Sequence, residues 1–123
     1  MNQPVPPRDQ DQGVDLPTLE RMLALGGAGL RPALIAQLLQ DFTRLAQALE
    51  GSEPAALERA AHELKGLAAT VGAQALADHA ARFDSLAAHA APAVRDALAL
   101  GLRRQIEGLC AVLRAQRQAP SAA

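Results

Sequence analysis

Apolar residues return every three to four positions along this chain, in one segment after another, and that period argues for helix. The pattern is cleanest over residues 32–50, where Ile35, Leu38, Leu39, Phe42, Leu45, Ala46 and Leu49 share one side of a helix. Leu76, Ala80, Phe83 and Ala87 repeat it on a shorter stretch, and Val94, Leu98, Leu102, Ile106, Leu109 and Leu113 on a longer one. The residues that strands favour are scarce: there is no Trp or Tyr and there are only two Phe. Ala and Leu, both strong helix formers, make up most of the apolar half of the chain.

Turn signals divide the pattern. A short helix is expected from about Leu16, with Asp15 as its cap and Pro17 in its first turn, ending before Gly26-Gly27. The second helix covers residues 32–50 and stops at Gly51. Ser52 is placed to cap the third, with Pro54 in its first turn, and that helix runs to about Val71. Gly72 breaks the chain, a fourth helix covers residues 73–88, and a fifth begins near Pro92. Short connections make neighbouring long helices antiparallel. The expected architecture is all-α: an antiparallel four-helix bundle over residues 14–117 with a short additional N-terminal helix. Residues 1–13 and 118–123 lack periodicity and are expected to be disordered tails.

Several function classes are disfavoured. Formal net charge is −1 with mixed signs, which is no basic footprint for nucleic acid. No apolar run approaches the ~20 residues of a membrane span, and the polar, Pro-rich start is no secretory signal. The single cysteine, Cys110, adjoins an apolar stripe and reads as a buried thiol; a reducing cytoplasm is the expected compartment. No Gly-rich phosphate loop is present. His62, His79 and His89 do not follow a zinc-ligand spacing, so no metal or other cofactor is expected. His79 reads as a half-buried structural histidine and His89 as a residue at a helix end.

The third helix carries the unusual chemistry. At 100° per residue, Leu57, Ala60, Leu64, Leu67, Ala68 and Val71 lie roughly 140° to 240° from His62. If that stripe faces the core, His62 faces water. Lys65 and Gly66 follow three and four residues on, so both adjoin the imidazole. A glycine inside a helix costs about 1 kcal/mol relative to alanine and calls for a reason. Here the reason is access, because no side chain covers the ring from that side. Lys65 supplies a compact positive charge. Ala55, Ala69 and Ala73 extend a low, smooth face, bordered by Glu58 and Arg59, on which a partner could dock. A neutral histidine nitrogen is a nucleophile near neutral pH.

The stretch His62-Glu63-Leu64-Lys65-Gly66-Leu67-Ala68, followed by Val71-Gly72-Ala73 and Leu76, resembles the histidine-containing phosphotransfer (Hpt) domain family. Asp41-Phe42 with Leu45 and Leu49, and the leading segment from Asp15 to Gly27, are similar to the family as well. The resemblance implies that His62 is phosphorylated, that Lys65 stabilises the phosphate and that Gly66 gives access. It implies phosphoryl exchange with aspartates of response-regulator receiver domains, and a hybrid sensor kinase as a further partner. The receiver would supply the acidic pocket and Mg²⁺, and the chain itself would have no kinase activity. Some family members hold the phosphohistidine with a Gln twenty-two residues after it; here that position is Asp84, an acid.

Two other readings stand beside the phosphorelay intermediate. One is a non-catalytic docking module that regulates a receiver or kinase through the same alanine-rich face. The other is the phosphorylatable domain of a larger kinase. A monomer is expected, since one bundle can bury these stripes.

Overall fold

The computed structural model describes residues 13–118. Five helices follow in order: α1 Leu16–Leu23, α2 Arg31–Ala48, α3 Pro54–Thr70, α4 Gln74–Leu86 and α5 Pro92–Gln118. No strand forms among the described residues. Each expected helix is present, with ends moved by a few residues. Pro sits in the first turn of α1, α2 and α3, where its missing N–H costs nothing and its fixed φ suits the helix.

The caps differ from the expectation. The N-cap of α3 is Glu53, in extended conformation and without a side-chain capping bond, so Ser52 does not cap this helix. Asp15 is the N-cap of α1, but its carboxylate accepts the Thr18 hydroxyl at 2.5 Å and caps no backbone N–H. Gln118, expected to open a tail, is the last residue of α5. The rest of that tail and residues 1–12 lie outside the described residues.

The four long helices close a ring: α3 packs on α4, α4 on α5, α5 on α2 and α2 on α3. The turn Val71-Gly72-Ala73 reverses the chain so that α3 and α4 lie antiparallel against each other, the most extensive helix pairing in the fold. Phe42, Phe83, Ile35, Leu45, Leu57, Leu64, Ile106, Leu109 and Leu113 fill the centre, and no charged or polar side chain is buried among the described residues. Each such large apolar side chain contributes about 1.5–3 kcal/mol by leaving water.

Leu19 and Leu23 bury α1 against this bundle, and two polar links fasten its ends. At its start, the Asp15 amide donates to the Gly72 carbonyl. Gly72 is at φ +85°, a conformation natural for glycine, and a Cβ there would meet the Asp15 carbonyl oxygen at 2.9 Å. Near its far end, Glu20 accepts both guanidinium nitrogens of Arg31 at 2.9 and 3.0 Å, and Arg31 also donates to Gln116 of α5 at 3.0 Å.

Not all of the apolar stripe of α5 is covered. Val94 and Leu98 are 52% and 38% exposed. Beside Leu98, α4 and α5 part to leave a groove of about 290 Å³ lined also by Phe83, Leu86, Gly101 and Leu102. Gly101 brings no side chain to fill it, and a Cβ there would meet nothing. From Leu102 onward the stripe is buried as expected, and Cys110 is buried with it. Burial pushes the Cys110 thiol above its ordinary pKa, away from the reactive thiolate.

Candidate functional site

Helix α3 divides cleanly into two faces. Leu57, Ala60, Ala61, Leu64 and Ala68 are buried, and Val71 follows them at the C-cap. Leu67, at the edge of the stripe, is half-buried, while Ala61 joins the core beyond the edge expected for it. Opposite them, the His62 side chain is 72% exposed. The direction read from helical periodicity is therefore the direction it takes.

Gly66 is exposed, and a Cβ there would meet nothing within 4 Å. No packing contact demands glycine at this position, and its missing side chain leaves open space on this face of the helix. One turn on, the Thr70 hydroxyl donates to the Gly66 carbonyl at 3.0 Å and occupies that acceptor within the helix. Lys65 is half-buried and forms no ion pair among the described residues, so its ammonium is available to an incoming anion.

Glu63 is turned to another task. It accepts hydrogen bonds from the Arg44 guanidinium of α2, and that bond holds its carboxyl below the usual range. The same pairing raises Arg44, which also lies 3.9 Å from Asp41. The negative charge next to His62 in sequence is thus answered by α2, away from the imidazole.

The sequence reading left Asp84 without a role, and the structure brings it to the ring. Its Oδ2 lies 3.7 Å from Nδ1 of His62, and its side chain is 33% exposed. Asp84 stands on α4, which the tight Gly72 turn lays against α3. The other ring nitrogen, Nε2, has no partner among the described residues. One nitrogen therefore faces a carboxylate and the other is open to a partner.

Of the residues expected on the docking face, Ala55, Arg59 and Ala69 are exposed and Glu58 is half-buried. Ala73 is not part of that face. It is the N-cap of α4, only 1% exposed, and its amide bonds the Ala68 carbonyl at 2.8 Å. The turn folds Ala73 inward; extending the α3 wheel past Val71 carried the face beyond the end of the helix.

The remaining histidines stand apart from the site. His79 is exposed, not half-buried, because α4 and α5 part beside it; its Nδ1 meets Gln105 Oε1 of α5 at 2.8 Å. His89 is exposed in the α4–α5 connection. Among the described residues no group of three or more His, Cys, Asp or Glu side chains could hold a metal ion. No helix among them is long and apolar enough to cross a membrane.

An outward histidine with an adjacent lysine and glycine thus stands on the third of the five helices among the described residues. The family model of the Hpt domain matches residues 29–116. The chain belongs to the Hpt domain family. Comparison with curated proteins and with solved structures gave no match. Hpt domains carry out histidine phosphotransfer in two-component systems, interacting with response-regulator receivers and kinases. The match takes in α2 to α4 and all but the last two residues of α5, and so includes the whole of the His62 face.

Proposed function

We propose that this Hpt domain is a phosphorelay intermediate in which His62 takes a phosphoryl group from a receiver aspartate or a kinase and hands it to another receiver aspartate. The observation that carries the reading is the exposed His62 with Lys65 and the bare Gly66 beside it, on the face of α3 opposite the core.

In the loading step Nε2 attacks the phosphorus of an aspartyl phosphate. The N–P bond forms, the P–O bond to the aspartate breaks, and its electron pair leaves on the carboxylate. Unloading reverses these events on a second receiver. Phosphoryl transfer asks mainly for positioning and charge stabilisation. Lys65 offsets charge on the phosphoryl oxygens, and the gap at Gly66 lets the partner's aspartate approach in line. Ala55, Arg59 and Ala69 present the docking face, with Glu58 at its border. The acidic pocket and Mg²⁺ belong to the receiver, and this chain contributes no cofactor. The domain acts as a cytoplasmic monomer.

Incubation with a phosphorylated receiver tests the reading. Wild type takes up acid-labile, base-stable label and His62→Ala takes up none. Equal label in both proteins removes His62 from the reaction. Receiver binding that survives in His62→Gln, with no transfer by wild type, makes the domain a docking module instead.

A further inference from the structure

The carboxylate of Asp84 is the one charged group within ion-pair distance of the His62 ring among the described residues. It forms no other ion pair or hydrogen bond there. Its place is set by the backbone, since α3 and α4 share the most extensive helix interface and are joined by a short turn. On α3 itself, Lys65 follows one turn ahead of His62, and Glu58 and Arg59 precede it by one turn. Glu63 is held by Arg44 of α2.

We propose that Asp84 is a positioning residue that keeps a proton on Nδ1 of His62 through loading and unloading, and that it thereby makes the phosphorylated form short-lived. The proposal rests on the phosphoryl-carrier reading above. A neutral imidazole holds one proton, and the partner of one nitrogen decides which nitrogen has it. A carboxylate beside Nδ1 selects the tautomer with the proton there, which leaves the lone pair on Nε2. The 3.7 Å separation exceeds a direct hydrogen bond and closes by rotation of a part-exposed carboxylate or through a bridging water.

The same proton governs release. After Nε2 bonds phosphorus, a ring still protonated on Nδ1 is a phosphorylated imidazolium, and its positive charge is favoured by the neighbouring carboxylate. On unloading, the receiver's aspartate oxygen bonds phosphorus, the N–P bond breaks, and its electron pair returns to Nε2. The group that departs is neutral imidazole. Without the Nδ1 proton it would be imidazolate, a far poorer leaving group. A neutral amide at this position would accept the same hydrogen bond but would favour the charged ring less. An acid here therefore trades storage of the phosphoryl group for ease of transfer.

Two measurements on the full chain test this. Nitrogen-15 NMR of the unphosphorylated protein, at a pH where the ring is neutral, reads the tautomer directly. Wild type is expected to show mainly the Nδ1–H form, and Asp84→Leu to shift toward Nε2–H. Phosphorylation with phosphoramidate then gives the phosphohistidine without any receiver. Its lifetime is expected to lengthen roughly 2- to 5-fold in Asp84→Asn, the range spanned by exposed charge pairs. Asp84→Glu should restore the shorter lifetime, and Asp78→Asn, which removes a charge from the same helix, should leave it unchanged. An unaltered tautomer in Asp84→Leu, or a lifetime unaltered or shortened in Asp84→Asn, overturns the proposal. If wild type fails to exchange phosphoryl groups with receivers while both shifts are seen, the relay reading falls and the assignment of Asp84 stands.

Discussion

The backbone amide of Asp15 donates to the Gly72 carbonyl across 2.8 Å, fastening the start of α1 to the turn that sets α4 against the site helix. Gly72 meets two demands there, a positive φ and a close approach of backbone. Gly72→Ala is expected to destabilise the fold by about 1–3 kcal/mol, the cost of a strained backbone conformation. Urea unfolding measures it. An unchanged midpoint would mean that the turn relaxes without loss and that α1 is not held through it.

Gly66→Ala should pull stability and activity in opposite directions. The added methyl meets open space, so the fold gains the helix propensity that glycine forgoes, about 0.5–1 kcal/mol. The same methyl stands beside the His62 ring and slows transfer from a phosphorylated receiver. Equal stabilisation without any loss of transfer rate would show that the gap does not serve access.

Lys65→Ala is expected to slow transfer while leaving the fold intact, at a cost of about 1 kcal/mol or less for the half-buried side chain. Rapid-quench measurement of label on His62, beside a denaturation curve, separates the two effects. Wild-type transfer kinetics would take Lys65 out of the chemistry.

Leu64→Ala is expected to do the reverse. Leu64 is fully buried on the core face of α3, and its truncation should cost about 2–5 kcal/mol. At a temperature where the variant remains folded, its transfer rate should stay near that of wild type. A cost well under 1 kcal/mol would imply that the core closes around the lost side chain.

The Arg44–Glu63 pair has a defined pH signature. The Arg44 hydrogen bond lowers the folded Glu63 pKa from its usual 4.5. The pair's contribution is therefore complete above that value and is lost as pH falls through the lower, folded one. In Arg44→Ala the Glu63 titration should move back up, which carbon-13 NMR of its carboxyl follows. A titration that does not move would mean the pair is absent in solution.

The directions of side chains on α3 could be read before any coordinates, because a stripe from Leu57 to Val71 leaves one orientation for His62. The periodicity of α2 was as plain. What escaped depends on contacts between helices. Asp84 lies twenty-two residues from His62, and only the α3–α4 pairing brings them together. Ala73 looks like one more small residue on the site face until the turn at Gly72 carries it inward. Val94, Leu98 and His79 depend on where α4 and α5 part, and no single-helix pattern encodes that. Ser52 is a good capping residue by type, yet the chain starts α3 one residue later.

One consequence of the two-faced α3 concerns how such a protein can change over generations. The side chains that hold the bundle together and those proposed to meet a partner share a helix without sharing contacts. Substitutions at Ala55, Arg59 or Ala69 are therefore nearly silent for folding, whatever they do to recognition. If the proposed docking face is the one used, partner choice can drift, duplicate and diverge on it while Leu57, Leu64 and Ala68 keep the scaffold constant.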